Sequence, residues 1–449
     1  MTHSTALKLK FHRSVPIHLT CDAPRSSSDG GALLLRQMDE RLGLLQKLSG
    51  CIPDARDPTR VVHSRLEQLR QRVYQIALGY EDCNDAAFLR HDPALQVACD
   101  VLPTPDAPLS SQPSLSRMEN AVDARAVRRM LAALEQHYLD SFTQAPEVVV
   151  LDLDGTDDPT HGQQQLTFFH GFYDQHMYHP LLVFDGTSGQ LISAILRPGN
   201  AHAARGAMGV LRRLIVALKQ RFAQVRIVVR GDSGYCVPRL VNMLEELNAQ
   251  WGDIDSLLGL AKNPALLRQG AGIMAAAQQQ YEAGQRYVRH FGSFHYAAQT
   301  WPHERYVVMK AEKSSKGDNP RFVLTSLEGF APELLYDAYC QRGQCENFIK
   351  DFKNALLADR LSCCDFFANF FRLLQHAAAY VLMHALRAEA AKHSAPLATV
   401  QMDTLRLRLL KVATHITHSA RRLWVRLPAA FPLAHLFLSL AASLGADTS

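Results

Sequence analysis

Pro146-Glu-Val-Val-Val-Leu-Asp152-Leu-Asp154-Gly-Thr156 is where the chain changes its hydrophobic period. Upstream, apolar residues recur at helical spacing. Here a β-branched, apolar run fills consecutive positions and ends in acids and turn formers. Such a run reads as a central strand covered on both faces, followed by a turn. Side chains alternate along a strand, so Asp152 and Asp154 project from one face.

Downstream, Leu181–Phe184 and Leu191–Leu196 flank Asp185-Gly-Thr-Ser-Gly189, a hairpin signal. Ala203–Phe222 is amphipathic at helical spacing. Arg226–Arg230 is a second buried-type strand and runs into Gly231-Asp232-Ser233-Gly234. A helix over Val237–Asn248 and a strand over Ser256–Ala261 follow. The expected class is α/β: three antiparallel strands, then helix, strand, helix, strand, in a mixed five-stranded sheet with helices. Residues 146–262 would form its first part. A β-rich insertion is expected over 263–327, with strands at Tyr287–Phe291, Arg305–Ala311 and Arg321–Leu327. Helical pattern resumes at Ala331, so 328–395 would complete the core, including a long apolar helix over Phe366–Leu386.

Upstream, residues 1–145 read as a mostly helical, DNA-binding region. The first thirty are polar, loose or an edge strand. Leu33, Leu34, Met38, Leu42, Leu45 and Leu48 keep helical spacing, as do Leu66, Leu69, Val73, Ile76 and Ala77, with Gly79 as a C-cap. Pro103, Pro105 and Pro108 interrupt the chain. The serines of Ser110–Ser116 could set a helix start, with Arg117 one turn in, against DNA phosphates; an ordinary capped helix fits equally. Residues 396–449 form a basic C-terminal region. Leu405–Ala413 and Arg421–Leu427 alternate as two strands would. Arg406, Arg408, Lys411, Arg421, Arg422 and Arg426 lie there with no acid among them, which suits a DNA-backbone surface or a solvated strand face.

The 449 residues allow several domains, and 47% hydrophobic with 20% charged residues is globular composition. The net charge of +5 is compatible with nucleic acid without requiring it. Nine cysteines, none in a Cys-x-x-Cys pair, read as reduced cytosolic thiols. Met1–Val15 has no apolar run that would make it a secretory signal, and Leu433–Ala446 is too short to span a membrane.

The chemistry is carried by Tyr339-Cys-Gln-Arg342-Gly-Gln-Cys-Glu346-Asn-Phe-Ile-Lys-Asp-Phe-Lys353. Tyr339, Arg342, Glu346 and Lys353 would fall within about 60° on one helix face. Cys345, Phe348, Ile349, Phe352 and Leu356 form the apolar arc beside it. Gly343, a poor helix former, is the expected place for a bend in it. Asp154, Asp232 and Glu346 then supply three carboxylates, hard oxygen donors that suit Mg²⁺ or Mn²⁺. Two such ions can activate a water or a 3′-hydroxyl and stabilise a leaving oxygen. Without metal, mutual repulsion would raise their pKa values.

The Tyr-x₂-Arg-x₃-Glu-x₆-Lys spacing, with the two upstream aspartates, resembles the signature of bacterial insertion-sequence DDE transposases. The resemblance covers about residues 60–430. It implies a ribonuclease H-like core and a β insertion. It implies Asp154, Asp232 and Glu346 as ligands of two Mg²⁺ or Mn²⁺ ions, and Tyr339, Arg342 and Lys353 as DNA-phosphate contacts. Asp154 is preferred to Asp152 as first ligand because of its Asp-x-Thr pattern. The implied partners are double-stranded DNA, as terminal inverted repeats and target, and a second copy in the DNA complex. No membrane partner is expected, and the implied place of action is the bacterial cytoplasm, at the nucleoid when bound to DNA. Related enzymes stack an insertion-domain aromatic on a flipped base; Trp301 is a candidate, or else a core residue. His161, His170, His176 and His179 match no standard zinc spacing.

Two rivals stand beside this reading. Val148–Thr156 also looks like the opening motif of haloacid-dehalogenase-type phosphatases, with Asp152 as nucleophile. That motif's later Gly-Asp-x-x-x-Asp is not met, since Cys236 stands at the last position. The other rival is a non-catalytic DNA-binding protein descended from a transposase.

Overall fold

The computed structural model describes residues 7–9, 15, 17–20, 25–104 and 106–446. It divides into two compact units. One comprises Cys51–Pro53 and Glu119–His384, and the other Met1–Gly50, Asp54–Met118 and Ala385–Ser449. Apart from Cys51–Pro53, the residues up to Met118 therefore share a unit with the C-terminal region.

The first unit is built on a nine-stranded sheet. Its main strands are β1 (Val148–Gly155), β2 (Leu181–Asp185), β3 (Leu191–Ile195), β4 (Arg226–Gly231), β5 (Ile254–Leu260), β6 (Tyr287–Tyr296), β7 (Arg305–Ser314) and β8 (Arg321–Thr325), with two-residue Gly317–Asp318 against β7. Helices α1 (Ala207–Arg221) and α2 (Pro238–Trp251) precede β4 and β5. The order across the sheet is β6-β7-β8-β5-β4-β1-β2-β3. β1, β2 and β3 are antiparallel neighbours, and β4 and β5 run parallel to β1. β8 pairs antiparallel with β5, so the 263–327 segment extends the central sheet. That segment also holds helices Pro264–Gln269 and Ala271–Glu282, in a stretch expected to be mostly β.

The apolar runs are buried as their composition demands. Val149, Leu151, Leu153, Ile227 and Val229 pack with Val210, Leu211, Leu214, Ile215 and Leu218 of α1 in one core cluster. Each such side chain contributes about 1.5–3 kcal/mol when removed from water. The β2–β3 turn closes at Gly189, whose φ of +78° favours glycine; a Cβ there would also meet the Phe348 ring at 2.8 Å.

Past β8 come α3 (Pro332–Cys340), α4 (Gly343–Lys350), a π turn over Asp351–Ala355 and α5 (Phe366–His393), which lies in this unit as far as His384. A small three-stranded sheet, Asp158–Pro159, Gln175–Tyr178 and Phe168–His170, branches off after β1. It was not legible as strands, because the segment is short, polar and rich in histidine.

In the other unit the expected helices form at Ala32–Leu42, Leu44–Ser49 and Arg65–Leu78, and Gly79 caps the last in the left-handed conformation. The expectation for residues 1–30 falls partly outside the described residues; Leu7–Leu9 pairs with Ile17–Leu19, and Ser26–Ser27 pairs with Thr414–His415. The strand expected over Leu405–Ala413 is not formed. Met402–Leu405 is α-helical and Arg406–Leu410 a π turn. Leu405, Leu407 and Leu409 alternate, but Leu405 and Leu409 are buried while Leu407 is 69% exposed. Burial at every fourth residue selects the helix. Three of the six basic side chains there have internal partners, Arg426 donating to the Thr417 hydroxyl at 2.9 Å. Arg406 donates to the Ala77 carbonyl at 2.8 Å, and Lys411 pairs with Asp29 at 2.7 Å. Arg408, Arg421, Arg422 and Arg426 are exposed. Near the end, Ala434–Ser443 is a helix with Phe437 and Leu440 buried and Leu438 exposed.

Candidate active site

In the parallel β1–β4 pair Gly231 stands beside Leu153. The next residue on each strand is an aspartate, Asp154 and Asp232. Both sit at carboxyl ends of strands, where the sheet opens. Asp154 Oδ1 accepts from the Gly155 amide at 2.9 Å, and Asp232 Oδ1 from the Gly234 amide at 2.8 Å. Burial raises the Asp154 pKa to about 6, and the Asp232 charge adds to the rise while Arg342 opposes it.

Asp152, two residues back on the same strand, has a different task. It is fully buried and accepts from Arg230 Nε at 2.6 Å and Nη2 at 2.7 Å. Arg230 Nη1 donates to the Ala338 carbonyl at 2.8 Å. A bidentate buried pair on neighbouring strands thus ties α3 to the sheet.

The segment after α3 departs from the continuous helix that the spacing suggests. Arg342 N bonds Tyr339 O, Gln344 N bonds Gln341 O, and Cys345 N bonds Arg342 O, all i→i−3. Such turns advance about 120° per residue, not 100°. Arg342 and Cys345 therefore share a face, and Glu346 swings outward. Cys345 is fully buried, within electrostatic range of Asp154 and Asp152, whereas Glu346 is exposed. The π turn after α4 then underwinds the chain. The single polar stripe over Tyr339–Lys353 is thus broken into three parts, though the apolar arc holds: Phe352 and Leu356 are buried and Phe348 packs on Phe184.

Arg342 Nη1 reaches Asp154 Oδ2 at 2.9 Å. The Tyr339 hydroxyl lies over β5, 2.6 Å from where a Cβ on Gly259 would stand. Lys353 Nζ bonds Asp157 Oδ1 at 2.7 Å and the Asp157 carbonyl at 2.9 Å, with Asp359 at 3.5 Å. Burial opposes ionisation of Asp157, but the Lys353 ammonium outweighs it and holds the pKa below the usual range. Each expected phosphate contact with a positive charge is therefore paired with a carboxylate.

Among the described residues no three His, Cys, Asp or Glu side chains are grouped to hold a metal. Asp154 and Asp232 offer the right donors for a hard cation, and a guanidinium now neutralises the first; Glu346 is not gathered with them. His170 and His179 pack edge to face with ring centres 5.1 Å apart, and His179 Nδ1 donates to the Ala201 carbonyl at 3.0 Å. Trp301 packs edge-on to Tyr296, and the Arg305 guanidinium lies 4.8 Å from its ring centre. Arg230 and Asp157 were missed in the sequence, and His179 was weighed there only as a zinc ligand. The signal for Arg230 was an arginine closing an apolar strand; Asp157 gave none that spacing could separate from loop residues.

The sequence profile of the transposase DDE domain group 1 family matches residues 9–447. The chain belongs to that family. It is a family of transposition and DNA recombination, of the nuclease and transesterase kind, and its enzymes generally use divalent metal ions. The family sets aside the phosphatase reading, and the burial of Asp152 between two guanidinium contacts agrees, since a nucleophile there would be closed off. Among solved structures, the chain is similar to a piggyBac transposase in a synaptic complex with hairpin DNA. The identity is 10%, over 86% of this chain and 81% of that one, with a TM-score of 0.46. No curated protein matches the chain. No helix among the described residues is long and apolar enough to cross a membrane.

Proposed function

We propose that this DDE-family protein binds the terminal inverted repeats of its own insertion sequence, hydrolyses the donor strand at their ends and joins the freed 3′-hydroxyls to target DNA. The observation that carries this reading is the placement of Asp154 and Asp232 on adjacent parallel strand ends, with Arg342 already at Asp154. The β3-β2-β1-β4-β5 order, with only β2 reversed against β1, β3, β4 and β5 in that run, supports a ribonuclease H-like core.

Asp154, Asp232 and Glu346 would hold two Mg²⁺ or Mn²⁺ ions. When bound, these supply Lewis acidity to the phosphate and lower the pKa of the attacking hydroxyl. For Glu346 to join, α4 must turn about its axis. Its two ends suit this: overwound i→i−3 bonds run into its first turn and an underwound π turn follows. Relaxing both toward α-helix rotates α4 while α3 and α5 stay in place. Arg342 and Lys353 would exchange Asp154 and Asp157 for DNA phosphates, and Tyr339 would lie beside them. Two copies would act together on paired ends.

The test is strand cleavage by purified protein with Mg²⁺ or Mn²⁺ on DNA flanking its gene. Wild type should nick at the element ends. Asp154→Ala, Asp232→Ala and Glu346→Ala should still bind those ends without nicking. Undiminished nicking by one variant removes that residue from the site. Binding without nicking by wild type in either metal supports a non-catalytic descendant instead.

A further inference from the structure

Arg197, just past β3, is a cation buried to 3% exposure, and its guanidinium reaches five backbone carbonyls. Nε donates to His179 O at 2.6 Å, and Nη2 to Pro180 O at 3.4 Å. Nη1 donates to Ala203 O at 2.6 Å, Arg205 O at 3.0 Å and His202 O at 3.4 Å. Among the described residues no carboxylate pairs with it. Burying such a charge is costly even with its donors satisfied. We propose that Arg197 is a positioning residue for the divalent metal, because it fixes the turns that carry Asp154 and Asp232 relative to each other. The proposal rests on the reading of those aspartates as metal ligands.

On one side the guanidinium backs Asp154. A Cβ on Gly155 would stand 3.3 Å from Arg197 Nη2 and 2.7 Å from His179 Nε2. The Thr156 amide donates to the Pro180 carbonyl at 3.1 Å, the same oxygen that accepts from Nη2. Both residues that follow Asp154 are thus set against Arg197 and its partners.

On the other side the connection runs through the loop before α1. Nη1 gathers three carbonyls of that loop. Ala203 within it presses its methyl group on Gly234, where a Cβ would stand 2.7 Å from it. The Gly234 amide in turn holds Asp232 Oδ1 at 2.8 Å. One guanidinium therefore braces both turns from behind. The buried Tyr235 hydroxyl lies within electrostatic reach of Arg197, Asp154 and Asp232 alike, which places all three around one spot. Arginine suits this task because it offers five N–H donors in one rigid plane. A lysine ammonium has three donors at one point and cannot serve both sets of carbonyls.

The experiment titrates Mn²⁺ into the full-length protein and follows the free ion by electron paramagnetic resonance. Binding that is lost in Asp154→Ala reports the aspartate pair. Arg197→Lys keeps the charge and loses the planar donors. It should bind Mn²⁺ at that pair about 10- to 100-fold more weakly, the usual effect of losing a group that orients a metal ligand. Its nicking of end DNA should need correspondingly more Mn²⁺ and recover most of the wild-type rate at saturation. Its binding of end DNA in EDTA should match wild type, which checks the fold. A purely structural arginine would lower the melting temperature and leave Mn²⁺ affinity, measured well below melting, unchanged; that result overturns the proposal. Ala203→Gly leaves every Arg197 hydrogen bond in place and removes only the methyl group behind Gly234. It should weaken Mn²⁺ binding in the same direction by a smaller factor. Should Arg197→Lys fail to fold, wild-type affinity in Ala203→Gly overturns the proposal. If Asp154→Ala binds as much Mn²⁺ as wild type, the metal reading of the aspartates itself fails, which is a separate outcome and removes the basis of this one.

Discussion

Arg342 Nη1 donates to Asp154 Oδ2 at 2.9 Å, so a cation expected at DNA phosphate neutralises a carboxylate expected at metal. Both groups are largely buried, with side-chain exposures of 16% and 13%. Neither can take its proposed ligand without releasing the other. A metal at Asp154 frees Arg342, and a phosphate at Arg342 frees Asp154. Binding of metal and DNA should therefore be positively coupled, and linkage makes the coupling reciprocal. Ca²⁺ should tighten end-DNA binding by wild type about 5- to 100-fold, the usual span of such couplings. Arg342→Ala should bind DNA more weakly in EDTA and show little Ca²⁺ dependence. Titrations of labelled end DNA with and without Ca²⁺ measure this; an identical Ca²⁺ response in both proteins would refute the exchange.

Asp152 and Asp154 should separate cleanly in their effects. Asp152→Asn leaves Arg230 buried beside a weakened partner and loosens the tie to Ala338. Breaking a buried ion pair from one side typically costs about 3–5 kcal/mol. The expected outcome is a large drop in melting temperature, with less soluble protein. Asp154→Asn should melt no lower than wild type at neutral pH and abolish nicking. The reverse pattern would exchange the two roles.

The sheet was legible because its strands announce themselves: Val148–Leu153 and Ile227–Val229 are apolar runs that only a two-sided core can absorb. The aspartates were legible because both end such runs at turn residues. What stayed hidden depends on local hydrogen bonding. Tyr339–Lys353 reads as one helix with a weak point at Gly343, where the structure does break it, but nothing in its side chains specifies three i→i−3 bonds or a π turn. Leu405–Leu409 fits two periods, and only the exposure of Leu407 decides between them. Arg230 could not be matched to Asp152 without the parallel register that sets them side by side.

Glu346 provides a test of the rotating α4. Adding end DNA with Ca²⁺ should change amide exchange across residues 341–355, where the overwound and underwound bonds lie. Exchange in Pro332–Tyr339 should stay as it is, since Arg230 pins α3. Glu346→Gln should keep DNA binding within about threefold of wild type, as expected for an exposed side chain, while cleavage is lost. Exchange that is unchanged throughout 341–355 would leave Glu346 without a route to the aspartates.

Gly155 lies against a wall that cannot retreat. A Cβ there would stand 2.7 Å from His179 Nε2 and 3.3 Å from Arg197 Nη2. The His179 ring is held by the Ala201 carbonyl, and Arg197 is held by the carbonyls of His179, Pro180, His202, Ala203 and Arg205. Overpacking of this kind costs about 1–3 kcal/mol. Gly155→Ala should therefore melt several degrees lower and misplace Asp154. Melting equal to wild type would mean that the ring or the guanidinium can move aside.

His179 and Asp154 should give stability opposite pH slopes. Burial lowers the His179 pKa to about 4, below its ordinary value near 6.5. The unfolded chain then binds the proton first on acidification. This contribution is complete above pH 6.5 and lost as pH falls toward 4, by up to about 3 kcal/mol. Burial raises Asp154 to about 6, so the folded chain binds its proton first. That contribution is complete below the unfolded value near 4 and lost as pH rises through 6, again by about 3 kcal/mol at most. Carboxylates elsewhere affect wild type and variants alike, so differences in melting temperature isolate the two groups. Relative to wild type, His179→Gln should gain between pH 6.5 and 4, and Asp154→Asn should gain between pH 4 and 6. If either difference is flat across its window, that group titrates alike in the folded and unfolded chains, and the burial assigned to it does not govern its charge.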